Sequence, residues 1–345
     1  MECKTFDPDG VGVDNGTYFG LPFDPATAEL VLVSAPWDVT VSYGAGAAYA
    51  PDAIIEASTQ LDFHDPLAPG AWRRGIATAT IGFDHIDTAW CAAHGIEVST
   101  AAGCNARGVL QWVGAVLADL SRRQGWQPAQ RTLGIVGVGH VGSLVQRYAE
   151  AWGFRVLCCD PPREERERCG FLPLGEVARE ADLITFHTPL DATTHHLADA
   201  ALLARTKPRA VIINSSRGEV VDGEALKASG REWVLDVWEH EPHIDRELLG
   251  KALLATPHIA GYSEQGKANA TALSVAALAR RFGLPLAGWY PPQAAASSPR
   301  PIAWQELCDT VGGIYDIGAE SRRLKAHPED FEALRDGYAY RREYF

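Results

Sequence analysis

LGIVGVGHVG, residues 133–142, is the stretch that decides the fold. Gly137, Gly139 and Gly142 stand in it as G-x-G-x-x-G. That spacing alone is weak, because glycine-rich turns pack helices on strands in many settings. Here an apolar run precedes it and a helical pattern opens inside it. A second apolar run ends at Asp160, 18 residues past Gly142. Together these make the fingerprint of a βαβ unit that takes a dinucleotide. Gly137 permits the tight turn, Gly139 lets the backbone approach a pyrophosphate, and Gly142 lets the helix pack on the strand. The helix N-terminus offers free N–H groups and partial positive charge to the phosphates. Asp160 can accept hydrogen bonds from ribose hydroxyls and repels a 2′-phosphate, which favours NAD over NADP. Arg163 nearby tempers that preference.

Outward from this loop, strands and helices alternate. Strands are predicted at 132–136, 154–159, 182–187, 209–214 and 233–236, with helices near 141–152, 174–180, 197–204 and 223–229. The strands are continuous apolar runs such as LGIV, RVLCC, LITF and AVIIN. Strands covered on both faces by helices read this way, so the pattern predicts an α/β fold with a Rossmann-type, doubly wound parallel sheet. Long helices are predicted at 106–123 and 264–282. The Pro/Ala/Ser-rich GWYPPQAAASSPRP (288–301) reads as a boundary, and the last 45 residues as a small separate unit. Ahead of the sheet, ELVLVS (29–34) reads as a strand and PDAIIEASTQL (51–61) as a helix with proline at its first position. A strand near 76–80, a helix near 87–94 and a strand at 96–99 follow.

Composition bounds the function. A chain of 345 residues suggests two or three domains. With 46% hydrophobic and 22% charged residues it is an ordinary globular composition. No run of about 18 apolar residues exists, so no membrane span is expected. The acidic MECKTFDPDG does not read as a signal peptide. A net charge of −13 argues against nucleic acid and anionic lipid as partners, and an anionic substrate would need a local positive pocket. Seven scattered cysteines with no C-x-x-C pair read as reduced thiols in a cytoplasmic protein.

Three polar segments follow the ends of later strands: INSSRG (213–218), LDVWEHEP (235–242) and TPHIAGY (256–262). Ligands of doubly wound sheets sit beyond the carboxyl ends of the strands, so all three would face a nicotinamide. Arg217 can grip a substrate carboxylate with its planar fork. His258 can take a hydroxyl proton as a hydride leaves. Glu241 can orient the imidazole and stabilise its charged form. The trio suits hydride transfer at a 2-hydroxy acid, although an arginine after a strand and a lone histidine each have an ordinary structural reading. Glu239, His240, Glu241, His243 and Asp245 fit no closed zinc spacing, so no metal is expected. Asp84, His85 and Asp87 read as loop or cap residues, and His195-His196 as surface.

From about residue 77 onward the chain resembles the D-2-hydroxyacid dehydrogenases, and more closely their 4-phosphoerythronate dehydrogenase branch. The resemblance rests on ATATIGFDHID (77–87), AAGCNA (101–106), LGIVGVGHVG, CCDPPR (158–163), TFHTPL (185–190), INSSRGEVVD (213–222), LDVWEHEP and TPHIAGYSEQGKA (256–268). It implies NAD-dependent oxidation of 4-phospho-D-erythronate, a small phosphorylated 2-hydroxy acid, in vitamin B6 synthesis. By the same resemblance Arg217, Glu241 and His258 match catalytic positions, with His258 as acid/base. Asp160, Thr188, Ser215, Ser216, Asp236 and Gly261 match NAD contacts, and Thr80 and Tyr262 match substrate contacts. It also implies an NAD-binding domain (106–258) inserted in a discontinuous substrate domain (76–105 and 259–286). A small α+β dimerisation domain (287–345) would follow and support a homodimer. The alternatives are another 2-hydroxy acid as substrate, or an NAD-binding chain without turnover.

Residues 1–75 depart from that pattern. NGTYFGLPFDP, APWDVTVSYGAGAAYAPDAIIEAS and LDFHDP resemble the N-terminus of the arginase/agmatinase family. That family's Asp-Ala-His-x-Asp motif does not occur here, so no ureohydrolase activity is expected. The chain reads as a fusion joined near Gly75–Thr80, in which Ser34, after ELVLV, stands in as a substrate contact.

Overall fold

The computed structural model describes residues 98–292, 294 and 299–345. The expectations for Ser34, Thr80, Asp84, His85 and Asp87, for the arginase-like segment and for its strands and helices lie outside the described residues. Residues 98–100, at the end of the strand predicted at 96–99, have no regular structure.

The centre is a six-stranded, wholly parallel sheet. Its strands are β1 (Thr132–Val136), β2 (Arg155–Cys159), β3 (Leu183–Phe186), β4 (Val211–Asn214), β5 (Glu232–Leu235) and β6 (Leu254–Ala255). The order is β2-β1-β3-β4-β5-β6. The chain therefore steps outward from β1 to β2 and then returns to the other side of β1. The crevice between β1 and β3 is the switch point at which such sheets take ligands. Every residue of β1, β3 and β4 is buried. Sheets of this kind are covered by helices on both faces, which is why their strands read as unbroken apolar runs.

One face carries α1 (Ala106–Gln124) and α2 (His140–Trp152). In α1 every residue from Gly108 to Ser121 is buried, so it is a core helix rather than an amphipathic surface one. It stops at Gly125, whose φ of 69° turns the chain out of the helix. The other face carries α4 (Leu174–Glu180), α5 (Ala200–Arg205), α6 (Gly223–Ser229) and α7 (Arg246–Lys251) over Ile184, Phe186, Ile212 and Leu235. Side-chain oxygens of Asp199, Asp222 and Asp245 accept the first free N–H groups of α5, α6 and α7.

The short α3 (Pro161–Glu167) follows β2, capped by Asp160. A long α8 (Glu264–Phe282) leaves the sheet, capped by Ser263. The tail forms α9 (Trp304–Ile314), α10 (Ile317–Ala326) and α11 (Phe331–Asp336). Here the structure differs from the separate α+β unit expected for residues 287–345. Among the described residues the tail holds no strand, and its one β-bridge joins Arg341 to Ser263. Leu307, Val311, Tyr315 and Phe345 share one apolar cluster with α1 and the sheet. Phe345 packs at a tilt against Tyr148 and edge-on against Trp152 of α2. Fully burying each such side chain contributes about 1.5–3 kcal/mol, and these four do so against the sheet's own core.

Candidate active site

The glycine loop has the geometry its spacing implies. Gly137 sits at φ 84°, in the left-handed region that a side chain resists. A Cβ on Gly142 would fall 2.0 Å from the carbonyl oxygen of Gly137. Among the described residues a Cβ on Gly139 would meet nothing within 4 Å, so none of them crowds this backbone at the start of α2. Asp160 ties the loop to β2: one oxygen accepts the Val138 N–H at 2.7 Å and the other the Arg163 N–H at 2.9 Å. Arg163 donates to both carboxylate oxygens of Glu167, at 2.7 and 2.9 Å, and to the Val138 carbonyl at 2.8 Å. It closes the loop from outside.

Across the crevice, Thr188 follows β3 and packs against Gly137. Its Oγ1 is buried and lacks a hydrogen-bond partner among the described residues, as does Ser215 Oγ after β4. Buried hydroxyls without a partner are rare and call for one, which a ligand's polar groups can supply. With the uncrowded backbone of Gly139, they fit a dinucleotide lying along the carboxyl edge of the sheet. His187, between Phe186 and Thr188, is pushed down to about 3 by burial and is therefore neutral.

Asn214 shapes the next loop. Its side-chain oxygen accepts Ser216 N–H at 3.0 Å and Ser216 Oγ–H at 2.8 Å, and its amide donates to the Arg217 carbonyl at 2.8 Å. Ser216, expected to touch NAD, thus donates its hydroxyl hydrogen to Asn214 and keeps its oxygen lone pairs as acceptors. Arg217 donates to the Ser216 carbonyl at 2.8 Å, and its charge reaches His258, whose protonation it opposes.

His258 follows β6 and faces Glu241. Nδ1 of His258 lies 2.8 Å from Oε2 of Glu241, whose Oε1 accepts the Trp238 N–H at 2.9 Å. Burial opposes charge on the imidazole. The Glu241 carboxylate, through its charge and its hydrogen bond, outweighs that with help from Asp236, and holds the pKa above the ordinary histidine value. A buried guanidinium, Arg335, stands 3.9 Å behind Glu241.

Asp236 is fully buried, and its oxygens are committed within the protein. Oδ1 accepts the Thr256 hydroxyl at 2.6 Å and the Ile259 N–H at 2.8 Å, and Oδ2 accepts the Ala260 N–H at 2.9 Å. Burial pushes its pKa up, against the pull of His258 and these donors. Its carbonyl accepts the His258 N–H at 2.7 Å. Asp236 therefore builds the His258 turn. Gly261 approaches Asn105 so closely that a Cβ would lie 2.3 Å from the amide nitrogen. Tyr262 is buried and stacks on Tyr340 at 5.6 Å.

The acidic and histidine cluster after β5 does not converge on one point. Glu239 bonds His196 at 2.7 Å, Glu241 bonds His258, and Asp245 bonds Lys227 at 2.5 Å. Among the described residues the group spaced for a metal ion is His327, Glu329 and Asp330, all exposed. Sequence reasoning overlooked Asn214, Thr256, Arg335 and Arg341. Asn214 lay inside a quoted motif and was legible; the arginines meet the site from the far end of the chain.

Residues 107–260 match the NAD-binding domain of the D-isomer-specific 2-hydroxyacid dehydrogenases. The chain is 44% identical over 302 residues to an erythronate-4-phosphate dehydrogenase of Bacteroides thetaiotaomicron, across 85% of this chain and 86% of that protein. It belongs to the erythronate-4-phosphate dehydrogenase family. A second family member, from Bacteroides fragilis, is 43% identical over 318 residues, across 88% of this chain and 91% of its own length. That span is longer than residues 76–345, so the likeness to the family reaches into the first 75 residues. Among solved structures, the apo D-mandelate dehydrogenase of Rhodotorula graminis superposes with a TM-score of 0.52 at 25% identity, over 64% of this chain and 76% of that one. The chain is thus a dehydrogenase with an NAD-binding Rossmann fold. No helix among the described residues is long and apolar enough to cross a membrane.

Proposed function

We propose that the chain oxidises 4-phospho-D-erythronate to 2-oxo-3-hydroxy-4-phosphobutanoate, the step its relatives' name describes. The observation that carries the reading is the partly buried His258–Glu241 pair beside Arg217 at the edge of a dinucleotide crevice. NAD supplies the hydride acceptor when bound. Gly137, Gly139, Gly142 and Asp160 would hold its adenosine and pyrophosphate, and Thr188, Ser215, Ser216, Asp236 and Gly261 would lie along the remainder. Arg217 clamps the substrate carboxylate, which fixes the hydroxyl at C2 toward His258. His258 accepts that hydroxyl's proton as the C2 hydrogen departs as hydride. Glu241 holds the imidazole in one orientation and stabilises its protonated form. Tyr262, Thr80 and Ser34 serve as further substrate contacts. The raised pKa of His258 suits both directions: the neutral ring is the base in oxidation and the charged ring the acid in reduction.

The working unit we propose is a cytoplasmic homodimer. The free thiols of Cys104, Cys158, Cys159, Cys169 and Cys308 suit a reducing compartment, and exposed Leu273, Trp289 and Ile314 offer apolar surface for a second copy. The reaction is tested with erythronate and erythronate-4-phosphate side by side. Turnover of the phosphorylated acid and not the plain one supports the assignment. Equal turnover, or a preference for glycerate or lactate, moves the chain to another substrate within the 2-hydroxyacid dehydrogenases.

A further inference from the structure

The backbone just after His258 is held from both sides. On one side Asp236 accepts the N–H groups of Ile259 and Ala260, at 2.8 and 2.9 Å. On the other side the Arg341 guanidinium donates to the carbonyls of the same two residues. Nη1 reaches the Ile259 oxygen at 3.0 Å, and Nη2 reaches that of Ala260. Nη2 also donates to the Gly108 carbonyl of α1 at 2.9 Å, and Nη1 to the Tyr338 hydroxyl at 3.1 Å. The Ile259–Ala260 peptide thus has a carboxylate at its N–H end and a guanidinium at its carbonyl end.

Arg341 is 6% exposed, and among the described residues no carboxylate lies within ion-pairing distance of it. A buried charge of this kind is costly unless its N–H groups are satisfied, and here backbone oxygens do most of that. Its own position is fixed. The Glu264 N–H donates to the Arg341 carbonyl at 3.0 Å, Ser263 Oγ donates to Glu343 at 2.8 Å, and the Glu343 N–H donates to Gln265 at 2.9 Å. The turn so clamped carries His258 at φ 58°, a conformation a non-glycine residue resists.

We propose that Arg341 is a positioning residue for the acid–base pair, clamping the 259–260 backbone so that the His258 imidazole stays on Glu241. The inference rests on reading His258 as the acid/base. It makes the C-terminal tail part of the active site. Among the described residues the charged and titratable groups in play are these. His258 faces Glu241, Asp236 and Arg217, with Arg335 behind Glu241. Arg341 faces Tyr315, Tyr338 and Asp236.

The test uses the full chain with Arg341→Ala and Arg341→Lys, and NADH binding by fluorescence as the check on folding. The first readout is the NMR titration of histidine-labelled protein, with the His258 signal identified by its loss in His258→Ala. In Arg341→Ala the imidazole should titrate at lower pH than in the parent, because its contact with Glu241 loosens. Arg341→Lys, which can reach one carbonyl but not both, should fall between. The second readout is turnover: kcat should drop about 10–100-fold with KM for NAD unchanged, the effect of a small misplacement of a reacting group. Millimolar guanidinium should restore part of it in Arg341→Ala, and ammonium should not. If Arg341→Ala does not fold, Arg341→Lys carries the same two readouts. An unmoved titration with kcat within about twofold overturns the proposal. A shifted titration in a chain that does not turn over erythronate-4-phosphate upholds the clamp and removes the substrate reading.

Discussion

Replacing Asp236 with asparagine tests the framework beneath the site. The carboxylate is fully buried and receives three donors: Thr256 Oγ–H, Ile259 N–H and Ala260 N–H. Asparagine keeps one oxygen, which can still serve Thr256 and Ile259. Its amide then faces the Ala260 N–H, donor against donor. One hydrogen bond to a charged acceptor, worth about 1.5–3 kcal/mol, is lost, and a buried N–H is left unsatisfied. Relief of the buried charge offsets part of this, since burial already disfavours the ionised form. The net expectation for Asp236→Asn is a loss of about 2 kcal/mol. Asp236→Ala, which strands all three donors, should lose about 3–5 kcal/mol. Urea unfolding at neutral pH, read by tryptophan fluorescence and by far-UV circular dichroism, measures both. Asp236→Asn within about 0.5 kcal/mol of the parent, with unchanged kcat, would refute the assignment of Asp236 as the builder of the His258 turn.

Four further expectations follow from the site and the glycine loop. Oxidation requires neutral His258, so its rate should rise with pH through the imidazole pKa; Glu241→Gln removes the charge that raises that pKa, and the rise should move to lower pH while the plateau falls about 10²–10⁴-fold. The same raised pKa implies a stabilisation fully present below the unfolded histidine value and lost as pH climbs through the folded one, and unfolding midpoints across that window should show it disappear in Glu241→Gln. Arg217→Lys keeps the charge but loses the bidentate fork, so kcat/KM for the hydroxy acid should fall about tenfold or more while NADH affinity holds. Gly142→Ala puts a methyl group 2.0 Å from the Gly137 carbonyl, so fluorescence titration should show NADH binding lost or greatly weakened.

Much of the fold is legible in the sequence because its signals are local. β1 to β5 are apolar runs bounded by turn residues, and the glycine spacing fixes where the crevice lies. β6 escapes because Leu254–Ala255 is too short to carry a period. α3 escapes because PPREERE buries none of its side chains, so it has no apolar stripe, although Asp160 before Pro161 is a helix-start signal. The pairing of His258 with Glu241 is suggested by strand-end logic, which places both at one edge of the sheet. The job of Asp236 is not, because its three donors come from a turn some 20 residues away. Still less legible is Arg341, which sits in an ordinary basic run, YRREY. It reaches Gly108, 233 positions earlier, and no pattern near it says so.

The most direct measurement is NADH formation from 4-phospho-D-erythronate with a trap for the oxo acid, since oxidation by NAD runs uphill. NADH binding is followed in parallel, and His258→Ala is the control. The expected result is steady NADH production by the parent chain, lost in His258→Ala while NADH binding persists. Binding of NADH without production in the parent, or production that survives His258→Ala, would contradict the account.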